Sequence, residues 1–134
     1  MARKTDAWVA VNGNVRTPGI TDLDVDNCGC YTITDGASMV MSAAQMMNGV
    51  MQMTPTAARN IQADTVANIV AAAPWIVAGN SFTFSIVNLN ATNAMTVTTN
   101  TGLTLVGSMV VALSTSATFR VVYMSGGAAT IYRV

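Results

Sequence analysis

The chain contains no histidine, no glutamate and only one lysine. The lack of histidine excludes Ser-His-Asp and Cys-His catalysis, and it removes the commonest general base and imidazole metal ligand. Charged residues make up 9% of the 134 residues, against about 25% in an average soluble domain. Because the formal net charge is also zero, we expect much of the apolar surface to be buried between subunits. The alternative is a monomer whose surface is covered by Ser, Thr and Asn.

The few charges are unevenly placed. All six aspartates lie in the first half, and only Arg120 and Arg133 follow Asp64. No basic stripe is present, so direct binding of nucleic acid is not expected. Apolar runs such as 69–73 are far shorter than the ~20 residues of a membrane-spanning helix, so no membrane partner is expected either. The polar N-terminus lacks the apolar core of a signal peptide, which predicts synthesis in a cytoplasm.

Two small clusters could in principle hold a metal. Cys28 and Cys30 are one residue apart, so a disulfide between them would be strained, and two sulfurs without histidine do not complete a zinc site. Asp22, Asp24 and Asp26 alternate with apolar residues and would share one face of a strand. The segment lacks the Gly and the final acid of an EF-hand calcium loop, so we interpret the three as a solvated edge that discourages pairing with other strands. The sequence therefore predicts no catalytic residue, cofactor or metal.

The N-terminal third differs in pattern from the rest. Residues 1–41 contain short apolar segments separated by turn signals such as Asn12-Gly13, which is typical of hairpins. We predict an N-terminal arm of extended and hairpin segments over residues 1–41, followed by a β-domain over residues 42–134.

Two short helices are expected in that domain. Ser42 and Gln45 form a capping-box pattern, and Asn48-Gly49 is a typical helix end, which predicts about two helical turns. A second helix is predicted from about residue 65 to 72, with Asp64 as its N-cap and Pro74 as its stop.

The remaining segments alternate with period two. The pattern predicts strands at 50–53, 59–62, 82–87, 95–100, 103–105, 108–113, 118–124 and 129–134. The predicted fold class is mainly β: a small antiparallel β-sandwich or barrel with one or two short helices and an extended N-terminal arm.

Methionine is abundant, with ten in the chain. Methionines can line adaptable binding surfaces, but we interpret the group between residues 39 and 53, including Met46 and Met47, as a core or a seam between subunits. Trp75 is interpreted as a cover for one end of the barrel, with stacking on a ligand as the alternative.

Several motifs of the second half resemble a known family. They are the runs at 42–49 and 54–60, Val77–Asn88 (VAGNSFTFSIVN), 96–107 (TVTTNTGLTLVG), 114–121 and 129–133. Together they resemble the domain of tailed-phage head decoration (cement) proteins, also found in fibre-like viral surface proteins. The resemblance covers roughly residues 42–134. It implies a homotrimer made in a host cytoplasm that binds the major capsid protein on the outer capsid surface of the virion and stabilises the shell.

For this function we expect the first part of the arm, residues 1–20, to reach a neighbouring subunit. The candidate residues for contact with the capsid or with other subunits are Arg3, Lys4, Trp8, Arg16, Met46, Met47 and Trp75. The alternative function is a receptor- or glycan-binding module of a tail fibre or other surface appendage, with its site formed by Trp75, Tyr123 and the loop 88–93.

Overall fold

The computed structural model describes residues 29–134, which form ten strands and two helices. The strands are β1 (Cys30–Thr32), β2 (Met39–Val40), β3 (Val50–Met53), β4 (Arg59–Gln62), β5 (Ser81–Asn88), β6 (Met95–Thr98), β7 (Leu103–Val106), β8 (Val110–Val111), β9 (Ser116–Tyr123) and β10 (Ala129–Arg133). The helices are α1 (Ala43–Asn48) and α2 (Val66–Ala72).

The strands make two sheets, which confirms the mainly β class. One sheet has six strands in the order β1-β3-β5-β9-β10-β7, and the other has four in the order β2-β4-β6-β8. The predicted antiparallel arrangement needs correction, because five of the eight pairings among the described residues are parallel. The reason is the path of the chain: from β1 to β9, successive strands alternate between the two sheets. Up to β9, neighbours within a sheet are therefore connected through strands of the other sheet, and such long crossovers are the connection that parallel pairs require.

Two strands before residue 42 pair with strands of the β-domain predicted over residues 42–134. β1 pairs with β3 from Cys30 opposite Val50, and β2 pairs with β4 from Met39 opposite Ile61. Within residues 30–41, β1 therefore belongs to the six-stranded sheet and β2 to the four-stranded sheet. The predicted arm segments and turns before residue 29, with Cys28 and the three aspartates at 22, 24 and 26, lie outside the described residues. Cys30 is exposed and has no disulfide partner among residues 29–134.

One apolar core lies between the two sheets. It contains most of the methionines, together with Phe84 and Phe119, whose ring centroids are 5.3 Å apart. The interpretation of the methionine group as core is confirmed for five of its side chains, which are those of Met39, Met41, Met46, Met51 and Met53. The sixth, Met47, is only partly buried. Flexible thioether side chains fill the irregular space between differently spaced strands.

Helix α1 begins as its sequence predicts. The Ser42 hydroxyl accepts a hydrogen bond from the Gln45 amide at 3.2 Å, and the Gln45 side chain accepts one from the Ser42 amide at 2.9 Å. The helix ends at Gly49, which has a φ of 112°, in a region that residues with a Cβ rarely adopt. Both signals are local in sequence, which is why they were readable without a structure.

The N-cap of α2 is Thr65, not Asp64 as predicted, since the Thr65 hydroxyl accepts from the Asn68 amide at 3.1 Å. Asp64 instead joins the starts of both helices. Its carboxylate accepts from the backbone amides of Ala43 and Thr65, each at 2.8 Å, and from the Asn68 side chain at 2.7 Å.

The strand predicted over 108–113 is reduced to the two residues of β8. The Arg133 side chain donates to the carbonyls of Ser108 and Val110, at 3.2 and 3.0 Å, so a side chain takes up part of the hydrogen bonding of this segment.

Gly102, with a φ of 87°, closes the turn between β6 and β7, and a Cβ there would lie 2.6 Å from the Gly127 carbonyl oxygen.

Candidate interaction surface

A groove of about 310 Å³ opens where β5 begins, at the end of the six-stranded sheet beside both helices. Its walls are mostly apolar, and two polar residues complete its rim. The lining residues are Met47, Ala73, Trp75, Ile76, Asn80, Ser81 and Phe82. The volume is at the lower end of the range typical of small binding pockets.

The loop that carries Trp75 is held in place by backbone hydrogen bonds. After α2 ends, the Ile76 amide donates to the Ala73 carbonyl at 2.9 Å. Asn80 closes the following turn, because its amide donates to the Val77 carbonyl at 2.9 Å and its side chain accepts from the Val77 amide at 3.0 Å. The loop is therefore a fixed platform and does not have to be ordered on binding.

Strand β9 anchors the same loop from the other side. The Gly79 amide donates to the Tyr123 carbonyl at 2.8 Å, and the Tyr123 amide donates to the Asn80 carbonyl at 2.9 Å. These bonds extend the β5–β9 pairing by two residues beyond the strand ends. Gly79, with a φ of 93°, supplies the backbone conformation that this tight return requires.

Large apolar side chains project from this end of the molecule. Trp75 is 74% exposed and Val77 is 60% exposed, although both lie on the fixed loop. Met124, at the adjacent end of β9, is also exposed. Trp75 thus does not cover the end of the sheet against solvent, which corrects its interpretation as a lid. An exposed tryptophan beside an apolar groove is a typical anchor of a protein interface.

Three of the candidate contact residues lie among the described residues, and the structure brings two of them together. Met47 and Trp75 line the same groove, one from α1 and one from the loop after α2. Met46 was a wrong choice as a contact residue, because it is fully buried in the core on the other side of α1. The remaining candidates, Arg3, Lys4, Trp8 and Arg16, lie outside the described residues.

The site expected for the alternative function does not come together as one surface. Trp75 and Tyr123 are at the beginning of β5, whereas the loop 88–93 follows its end. The eight residues of β5 separate them by roughly 23 Å at ~3.3 Å per residue.

That loop also uses its polar side chains internally. The Asn88 side chain donates to the Asn93 carbonyl at 2.8 Å and accepts from the Asn90 amide at 2.9 Å. A second groove of about 440 Å³ runs beside it, and Leu89 is exposed at its edge. Ser114, which lines this groove, has a φ of 50°, and its amide donates to the Asn90 carbonyl at 2.9 Å.

Most described charges are engaged within the fold. Asp35 accepts from Arg59 at 2.7 Å, and this hydrogen bond, with one from Thr56, holds the pKa of Asp35 well below its usual range. The Arg133 guanidinium lies over the Phe119 ring, 5.7 Å from its centroid, in addition to its bonds to carbonyls. The described surface is therefore poor in free charge.

Arg120 is a candidate contact residue that the sequence analysis did not single out. It lies on the exposed face of β9, opposite the face of Phe119 and Val121, and its Nη1 donates to the Ser81 hydroxyl at 2.9 Å. Ser81 lines the groove, so the guanidinium is one hydrogen bond away from a residue of the groove. The alternation of β9 predicts that Arg120 faces outward, but the sequence alone does not predict its contact with Ser81.

Over residues 29–134, no three Cys, Asp or Glu side chains are grouped as a metal site would need. Neither of the two helices in that part of the chain is long and apolar enough to cross a bilayer.

What the arrangement offers is a preformed apolar groove with a cation at its rim, suited to binding a side chain of a partner. Comparisons of the chain with protein-family models, curated proteins and solved structures returned no match.

Proposed function

We propose that the protein is a capsid decoration protein, which binds the major capsid protein on the outer surface of a virus shell as a homotrimer. The observation that carries the proposal is the groove with Trp75 at its edge, a fixed apolar contact surface on a molecule with little free charge. The motifs of the second half, which resemble head decoration proteins, supply the biological setting. The zero net charge supports self-association.

Shell stabilisation follows from repetition of a modest contact. A tryptophan can bury up to roughly 250 Å². With 74% of Trp75 exposed, contact with the shell could remove roughly 180 Å² of mainly apolar surface. At ~25 cal/mol per Å² this is worth up to about 4.5 kcal/mol before the costs of association. Many copies, each bridging neighbouring shell subunits, would add such contacts to the barrier against shell rupture.

The test is binding of the full-length protein to purified shells that lack it. Trp75→Ala is expected to weaken binding by about 30-fold or more, the effect of losing an interface anchor worth at least ~2 kcal/mol. Leu89→Ala is the matched control, since Leu89 is similarly apolar and exposed but lies at the opposite end of β5. Circular dichroism should show both variants folded. Wild-type shell binding by Trp75→Ala would refute the assigned contact.

The alternative is a receptor- or glycan-binding module of a tail fibre or other surface appendage. The observation that favours it is the exposed indole beside Asn80 and Ser81, since an aromatic face with nearby polar groups can hold a sugar ring. Tyr123 lies at the same end, but the loop 88–93 would not contribute. Binding of simple sugars by the full-length protein, lost in Trp75→Ala while shell binding is unchanged, would favour this alternative.

A further inference from the structure

The groove has an apolar wall and a cationic edge that are built by different elements. Met47, Ile76 and Phe82 supply the wall from α1, from the loop after α2 and from β5. The cation is Arg120 of β9, where Thr83 on β5 and Tyr132 on β10 stand opposite it in the sheet. It adjoins the groove through Ser81, a lining residue whose hydroxyl accepts a hydrogen bond from the guanidinium at 2.9 Å.

Arg120 differs from the other described arginines in its partners. Arg59 is paired with Asp35, and Arg133 donates to two backbone carbonyls. Arg120 is exposed, and within residues 29–134 no carboxylate lies within 4.0 Å of it. A guanidinium has five N–H donors, and the one side-chain hydrogen bond that Arg120 makes within residues 29–134, to Ser81, uses one of them. The remaining donors form the fork that binds a carboxylate with two parallel hydrogen bonds.

We propose that this groove recognises a segment of a partner protein in which a large apolar side chain stands next to an aspartate or glutamate. The apolar side chain fills the groove beside Trp75, and the carboxylate binds the free donors of Arg120. The proposal deepens the proposed function and rests on it, because it states which chemistry the shell protein must present at this contact.

The lining favours a peptide over a sugar. Met47, Ala73, Ile76 and Phe82 offer alkyl, thioether and phenyl surface, which suits a leucine-like side chain and leaves sugar hydroxyls without partners. The side-chain oxygens of the two polar residues of the rim already accept hydrogen bonds from within the fold. Asn80 accepts from the Val77 amide through its side chain, and the Ser81 hydroxyl accepts from Arg120.

The experiment is an NMR titration of the full-length, ¹⁵N-labelled protein with capped tetrapeptides. The probe is acetyl-Gly-Leu-Asp-Gly-amide, and the matched control is acetyl-Gly-Leu-Asn-Gly-amide. The signals are the Trp75 indole N–H, assigned with Trp75→Phe because the chain has a second tryptophan, and the Arg120 Nε–H. We expect both signals to move with the Asp peptide, which binds at least five-fold more tightly than the Asn peptide.

Variants at position 120 make the test specific. Arg120→Gln should remove the difference between the two peptides, and Arg120→Lys should keep part of it, because a lysine retains the charge without the fork. Added salt should weaken the Asp peptide more than the Asn peptide. Equal affinities for the two peptides, or no movement of the Trp75 signal with either, would overturn the proposal.

Two further outcomes separate this proposal from the function on which it rests. Movement of the Trp75 signal with methyl galactoside but not with the peptides would overturn peptide recognition in favour of a glycan. Equal peptide affinities combined with loss of shell binding in Trp75→Ala would overturn carboxylate recognition and leave the shell contact standing.

Discussion

Replacing Asp64 with alanine should destabilise the fold more than its half-exposed position implies. The carboxylate accepts two backbone amide hydrogen bonds at 2.8 Å, one from the start of each helix, and a third from the Asn68 side chain. Hydrogen bonds to a charged group contribute about 1.5–3 kcal/mol each. The Asn68 side chain is exposed and can hydrogen-bond to water instead, so only the two backbone amides are left without a partner. We therefore expect the free energy of unfolding to fall by about 3 kcal/mol.

The assay is urea denaturation followed by circular dichroism, at one protein concentration because assembly makes apparent stability depend on concentration. Thr65→Ala is the matched control, since it removes an ordinary N-cap at the same helix and should cost about 1 kcal/mol. Asp64→Asn keeps an acceptor oxygen and should fall between the two. If Asp64→Ala lost no more stability than Thr65→Ala, the carboxylate would not be the joint between the helices.

Other parts of the fold give predictions of the same kind. Gly102→Ala should lower the free energy of unfolding by about 2 kcal/mol or more, because the new Cβ would meet a backbone atom 2.6 Å away. Gly36→Ala, where the new Cβ would lie in open space, should change it by no more than about 0.5 kcal/mol. Equal losses of stability in thermal melts would contradict the close approach at Gly102. Phe119→Ala should lose about 3–5 kcal/mol in urea titrations, and a loss under about 1 kcal/mol would mean that the ring is not in a packed core. Asp35→Asn should be less stable than wild type near neutral pH. The folded pKa of Asp35 is lowered, so the Arg59 pair stabilises the fold above the unfolded pKa of about 4, and this is lost as pH falls through the folded value. The difference between the two proteins should shrink below about pH 4, and a difference that widens there would refute the pairing.

Features encoded by adjacent residues were predictable. The capping box from Ser42 to Gln45 appears as a helix start because its two hydrogen bonds join residues three apart. The alternation over 82–87 appears as a strand because one face of β5 is buried and the other faces outward. In both cases the pattern depends on neighbours along the chain, so no knowledge of the rest of the fold was needed.

Features that depend on distant residues were not predictable in the same way. Period-two alternation specifies which face of a strand is buried but not the direction of its neighbour, so the parallel pairs created by strands that alternate between sheets were missed. Asp64 is next to a helix start, and only the fold shows that its second partner is Ala43, 21 residues earlier.

The candidate site was partly predictable for the same reason. Trp75 and Met47 stood out by residue type, and the fold places them in one groove. Arg120, 45 positions after Trp75 in the sequence, reaches the groove through the β5–β9 register, which aligns it with Thr83. A contact set by strand register cannot be read from a single chain without knowing which strands pair.

If the protein covers the outside of a virus shell, as proposed, its copy number in the particle must be high, and this number is the first quantity to measure. Quantitative mass spectrometry of purified particles would compare this chain with the major shell protein. A ratio within a few-fold of equality is the predicted result, because a decoration protein occupies sites over the whole shell. A handful of copies per particle would contradict the claim and point instead to a fibre, vertex or tail component.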